Sequence, residues 1–256
     1  MKIGVCTSLD NLELLERLGY DFIEPSVSAV VSMTDKEFEQ AEKALAKSRI
    51  RCEAFNMLFP GGVKLIGRQH DMDAVRSYIR KALPRVSKLG GRIVVFGSGG
   101  ARSIPEGCEY DTAIRQLTDI CRVLGDIAEP LDITVVMEPL NSKDCNLVNT
   151  VKQGLELVQK VDHPRFKLLA DLYHMRLENE TMDILAKAGS LLQHCHIACG
   201  AERAFPVQSN ATESGGFLET LKTIGYENRL SVEGITGDFA ADAAESYQYL
   251  RRVLEP

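Results

Sequence analysis

Short apolar runs alternate with stretches of helical period along the whole chain. The runs are IGVC from Ile3, DFIEPS from Asp21, RCEAFN from Arg51, RIVVFG from Arg92, ITVVMEP from Ile133, FKLLAD from Phe166, LQHCHIA from Leu192 and RLSVEGI from Arg229. Several are rich in β-branched residues and apolar throughout, as suits strands of a parallel sheet covered on its outer face. Between them, helical periodicity predicts helices over 11–18, 34–47, 73–89, 111–128, 150–161, 182–188, 216–224 and 240–253. Leu12, Leu15 and Leu18 share one face of the first. The second opens with TDKE, a capping-box pattern, and brings Phe38, Ala41 and Leu45 together. Gly19, Gly90 and Gly225 stand just past the last periodic residue of their segments, where a helix ends most easily on glycine.

Eight strand–helix pairs in 256 residues average about 32 residues per pair, the length a βα unit needs. The alternation has no composition break, so it predicts one domain over 1–256 with the α/β class and a single (β/α)8 TIM barrel. A doubly wound open sheet would usually carry a glycine-rich phosphate turn after its first strand. CTSLDN stands there instead. FGSGGA, after the fourth run, is glycine-rich but lacks a P-loop lysine and reads as a tight turn. Two connections are long, 56–73 and 198–216. Both follow strand C-termini, where barrel active sites lie.

Composition narrows the partners. Apolar residues make up 45% and charged residues 26% of the chain, enough for a large core and a solvated surface. The net charge of −6 and the lack of a Lys/Arg cluster argue against a nucleic-acid partner. Seven scattered cysteines with no CxxC pair read as reduced thiols. With no signal-like start and no 18-residue apolar window, the expected location is cytoplasmic, without membrane attachment. The apolar loop NMLFPGG can pack against a second copy, which leaves a homo-oligomer open.

Four consecutive runs carry a polar residue at or near their ends: Glu138, Asp171, His196 and Glu233. Taken singly, each has an ordinary reading, such as an arginine partner, a helix N-cap or a buried core histidine. Together they crowd three carboxylates onto one barrel mouth, where burial and mutual repulsion both disfavour them. One divalent metal ion resolves both problems. Three carboxylates with one imidazole make a hard site that favours manganese or magnesium, with cobalt or zinc able to substitute. Cys195 points to the opposite strand face from His196, and His194 shares the His196 face two residues deeper.

VVMEPLN, ADLYHM, HCHIA and SVEGI resemble the metal-binding strands of the xylose-isomerase-like TIM-barrel superfamily, closest to its ketose 3-epimerases and hydroxypyruvate isomerases. The resemblance implies a metal-dependent isomerase or epimerase. Such an enzyme removes a proton next to a carbonyl of a sugar, or sugar phosphate, through a metal-stabilised enediolate. It implies acid/base roles for Glu138 and Glu233. It implies substrate contacts for His174 of the D-x-x-H pattern, for Asp144 at the position of a family glutamate, and for Arg203 in the loop after the histidine strand. Asn56, Phe96 and Phe59 lie at or beyond strand ends and can line a sugar pocket, with a core or loop role as the alternative. Glu24 ends the second run and serves either the site or the barrel rim.

Other chemistries fit less well. A three-metal nuclease on this barrel needs histidines after the third and fourth strands. AFNML and VVFGSG have none, and His70 lies far along its loop. A Schiff-base aldolase needs a lysine near a strand C-terminus, but Lys167 is near a strand start and Lys64 is in a loop. No G-x-S-x-G elbow is present for a serine hydrolase. Two alternatives keep the same metal site: an inosose-dehydratase-like lyase and a non-catalytic sugar-binding barrel.

Overall fold

The computed structural model describes residues 1–254. In chain order the elements are β1 (Lys2–Cys6), α1 (Leu12–Leu18), β2 (Phe22–Glu24), α2 (Val27–Ser32), α3 (Asp35–Lys47), β3 (Ala54–Phe55), α4 (Met72–Lys88), β4 (Ile93–Phe96), α5 (Gly99–Arg102) and α6 (Tyr110–Ala128). They continue with β5 (Thr134–Met137), α7 (Val151–Val161), β6 (Phe166–Asp171), α8 (Leu172–Leu177), α9 (Asp183–Ala188), β7 (Leu192–Ile197), α10 (Ala211–Thr223), β8 (Arg229–Val232) and α11 (Phe239–Leu254). All eight strands are parallel and run in the order β2-β1-β8-β7-β6-β5-β4-β3. The ring closes between β2 and β3 through the single parallel bridges Phe22–Arg51 and Ser26–Asn56. This is the expected (β/α)8 barrel.

Two apolar layers hold it together. The larger lies between the sheet and the helices and includes Val94, Phe96, Val135, Met137, Cys195 and Ile197. The smaller, Phe22, Ala54, Ile93, Val95, Val136 and Leu169, fills the barrel interior. Alternation along each strand sends neighbouring side chains to different layers. Gly4 is required by this filling, because a Cβ there would sit 2.3 Å from the Phe22 ring. Cys195 faces the outer layer and His194 and His196 the interior, as their spacing predicts.

Three expectations are corrected. The run RCEAFN yields a strand of only two residues, because its ends pair as isolated bridges rather than as a continuous ladder. The long connection after β7 is shorter than its composition suggests. Helix α10 starts at Ala211 and runs through Gly215 and Gly216, anchored by a hydrogen bond between Ser214 and Tyr249 hydroxyls. In NMLFPGG, Leu58 and Phe59 are buried in the chain's own core, and only Met57 is a large exposed apolar side chain. The helix-end glycines behave as expected: Gly19, Gly90 and Gly225 all have positive φ. Among the described residues no helix is long and apolar enough to cross a membrane.

Candidate metal centre

The last four strands deliver the four residues to one place. Glu138 directly follows β5, and its N–H donates to the Phe96 carbonyl of β4 at 3.2 Å. Asp171 ends β6 and caps α8, its Oδ1 accepting the Tyr173 N–H at 2.8 Å. His196 lies in β7. Glu233 follows β8 and donates its N–H to the Ile197 carbonyl at 3.1 Å. A register shift between β6 and β7 sets Asp171 directly beside His196, the kind of local irregularity that re-aims side chains near functional sites. One ligand atom from each of the four lies within 4.8 Å of the others. Glu138, Asp171 and His196 are buried, and Glu233 is partly so. Gly97 makes room for this: a Cβ there would lie 2.1 Å from Glu138 Oε2.

The imidazole of His196 is held from behind. Its Nδ1 lies 3.1 Å from Glu138 Oε1 and 3.0 Å from Glu233 Oε2. Its Nε2 lies 3.0 Å from Oε1 of Glu24, a fully buried carboxylate at the end of β2. Glu24 also accepts from His194 Nε2 at 2.8 Å and from the Ser231 hydroxyl. Burial alone would raise the Glu24 carboxyl, but His196 and His194 hold it well below the usual range. An ionised Glu24 can only accept, so Nε2 of His196 carries the hydrogen and Nδ1 turns toward the cluster. A histidine whose distal N–H is fixed by a carboxylate is the usual setting of an imidazole metal ligand.

The charges at this point are unbalanced in a telling way. Burial lowers the His196 imidazolium, but Glu24 and Glu233 more than reverse this and hold it well above its ordinary value. Burial raises Glu233, yet His196 and Arg203 bring it below the usual range. Glu138 stays raised, by burial first and then by Glu233. The protein thus gathers carboxylates that repel one another and aims one imidazole nitrogen at them. This hard, oxygen-rich donor set fits one divalent cation held by Glu138, Asp171, His196 and Glu233.

Of the other predicted residues, His174 and Arg203 reach the cluster. His174 Nδ1 accepts from the Asn141 N–H at 3.1 Å, so its Nε2 carries the hydrogen, 3.6 Å from Asp171 Oδ2. Arg203 donates to Asp171 Oδ2 at 3.0 Å and to Glu233 Oε2 at 2.5 Å, with its guanidinium over the Tyr173 ring. A tight turn presents it: Cys199 and Ala204 pair on either side of Gly200, and Arg203 itself has φ 54°. Asp144 is half exposed and binds the Asn141 side chain at 2.6 Å, near His174. Asn56 lines a cavity of about 230 Å³ beside Cys6, Ser8, Ser26 and Glu24. Phe96 lies elsewhere, fully buried in the outer layer against Phe59, with ring centroids 5.4 Å apart. Its expected place in a pocket wall is corrected, because the strand alternation that points Val95 inward turns Phe96 outward. Asn141 was not singled out by sequence reasoning. Its only signal is its place in the VVMEPLN segment, and nothing in one chain ties it to a histidine 33 residues away.

With this geometry in place, a sequence profile of the xylose isomerase-like TIM barrel family matches residues 12–253. The chain belongs to that family. Its relatives include a probable ketose 3-epimerase of Synechocystis sp., 37% identical over 112 residues, which are 42% of this chain and 38% of that protein. The D-psicose 3-epimerase of Agrobacterium fabrum is 25% identical over 194 residues, 72% of this chain and 65% of that one. Both alignments span less than two thirds of the relative's own length. A crystal structure of a D-psicose 3-epimerase in the presence of D-fructose superposes over 100% of both chains with a TM-score of 0.87 at 19% identity, which shows a shared fold.

Proposed function

We propose that this protein is a divalent-metal-dependent sugar epimerase or isomerase that moves a proton on a carbon next to a carbonyl. The observation that carries this reading is the meeting of Glu138 and Glu233 with Asp171 at Nδ1 of a single, pre-oriented His196. The match to epimerase relatives supports it. A divalent cation in this site, with manganese or magnesium preferred by the donor set, supplies Lewis acidity to a substrate carbonyl.

The chain's own groups then divide the work. Glu233, whose Oε2 accepts from Arg203 at 2.5 Å, is suited to accept a proton. Glu138, the second glutamate of the cluster, is suited to return it. Two carboxylates are what an epimerisation needs, because one takes the proton and the other gives it back. The Nε2–H of His174 and the guanidinium of Arg203 face the same point and can donate to substrate oxygens. The substrate is a small sugar-like molecule.

The test is solvent exchange. Mn²⁺-loaded protein is incubated in D₂O with D-fructose, D-psicose and D-tagatose. Deuterium should enter the carbon beside the carbonyl, and chelation should stop it. Glu138→Gln and Glu233→Gln should each lower the exchange by about 10²-fold or more while still binding the sugar. Loss of water in the product would indicate a lyase instead. No exchange by protein with bound Mn²⁺, over this panel, would sink the proposal.

A further inference from the structure

The glycine-rich turn FGSGGA has no phosphate-binding lysine, and beyond the room Gly97 leaves for Glu138 the site described above does not explain the turn. Two residues beyond its last glycine lies Arg102, at the end of α5, the largest fully buried side chain in the protein. A buried guanidinium normally meets a carboxylate. This one donates only to main-chain carbonyls: Nε to Gly97 at 2.6 Å, one terminal nitrogen to Glu138 at 2.9 Å, the other to Leu147. A charge buried without an ion-pair partner is costly, and these three bonds are what offsets that cost.

The three carbonyls belong to the segments that surround Glu138. Gly97 is the residue whose missing side chain leaves space for the Glu138 carboxylate. Leu147 lies in the strap 139–150 that follows Glu138 and carries Asn141 and Asp144. Gly99 is pressed against the same strap, since a Cβ there would sit 2.8 Å from the Asp144 carbonyl and 2.9 Å from the Leu140 side chain. Ser98, with φ 43°, accepts the Phe59 N–H at 3.0 Å and pins the turn to the loop after β3. The planar guanidinium, with donors along fixed directions, can hold three carbonyls at set angles, which a lysine cannot do.

We propose that the Gly97–Arg102 turn is the positioning device of Glu138, with Arg102 as its positioning residue: it clamps the main chain on both sides of Glu138 and so sets the carboxylate in the metal centre. Arg102 touches neither cation nor sugar. The inference rests on the metal-centre reading, and the experiment separates the two.

Mn²⁺ dissociation constants are measured by titration of the full chain for wild type, Arg102→Lys and Arg85→Met. Arg85 serves as the control. Its guanidinium also donates to a main-chain carbonyl, that of Met33 at 3.0 Å, and lies over the Phe38 ring, away from the metal centre. Arg102→Lys should weaken Mn²⁺ roughly tenfold or more, the scale on which supporting groups act. Arg85→Met should lower the melting temperature and leave Mn²⁺ affinity unchanged. If wild type fails to bind Mn²⁺, the metal-centre reading is lost. If wild type binds and Arg102→Lys binds equally well, or Arg85→Met weakens Mn²⁺ by the same factor, the positioning role is overturned. Should Arg102→Lys not fold, the wild type answers instead. With [¹⁵N]arginine, Mg²⁺ should shift the Arg102 Nε–H signal and leave that of Arg85 in place; equal or absent shifts with Mg²⁺ bound overturn the role.

Discussion

At the scale of single residues, the proposed metal centre sets protons against a cation for one imidazole nitrogen. His196 is held well above its usual range by Glu24 and Glu233 despite burial. At neutral pH its Nδ1 therefore carries a proton that a bound metal ion would have to displace. Metal binding should release protons, seen as a calorimetric enthalpy that varies with the buffer's ionisation heat. The sign follows: Mn²⁺ affinity should rise with pH, by up to about tenfold per unit, until the free protein's imidazole loses its proton. Glu24 acts through the other nitrogen. Glu24→Gln leaves one oxygen to serve three donors, and should weaken Mn²⁺ by about 10- to 100-fold with the fold intact by circular dichroism. An unchanged affinity would mean that Glu24 belongs to the barrel rim alone.

At the scale of elements, local and tertiary signals can be told apart. Helix α3 begins where its sequence says, with Thr34 Oγ1 accepting the Glu37 N–H at 3.3 Å and Glu37 returning to the Thr34 N–H at 2.7 Å. Thr34→Ala should destabilise the protein by about 1 kcal/mol, a shift of about 2–4 °C in melting temperature, and leave Mn²⁺ affinity untouched. Helix α10 starts five residues before its periodicity does, because Asn210 bonds back to Phe205 and Val207 and Ser214 reaches Tyr249. Those partners lie in the loop before it and on α11, so composition in the window around Gly215 and Gly216 is a poor guide there.

At the scale of the whole molecule, the barrel's two ends do different work. The mouth gathers the charged cluster of Glu138, Asp171, His196 and Glu233. The opposite end is tied by Glu53, which reaches Lys2 at 2.5 Å and Arg229 at 2.6 Å and so links the β3 side of the ring to β1 and β8. Burial would raise the Glu53 carboxyl, but Lys2 and Arg229 hold it below its usual value. A depressed carboxyl contributes stability that is complete above its unfolded value, about 4.3, and is lost as pH falls through the folded one. Glu53→Gln should therefore be less stable than wild type at pH 7, on the order of 1 kcal/mol given solvent screening at Lys2. Urea titrations at stepped pH should show that gap narrowing below about pH 4.3. A constant gap would mean that the ion pairs add nothing.

The chain by itself determined whatever depends on near neighbours. The period of the apolar positions defined strands and helices, and glycine placement marked helix ends. The repetition of acidic or imidazole groups at the ends of four runs marked Glu138, Asp171, His196 and Glu233. Only the tertiary structure decided what those groups meet. That Glu24 holds the back of His196, 172 residues away, and that Asn141 fixes the tautomer of His174, depend on the strand order of the barrel. That Arg102 is buried depends on how the turn after β4 folds. A buried arginine and a surface arginine are the same letter, and hydrogen bonds between distant segments leave no periodic trace in either partner.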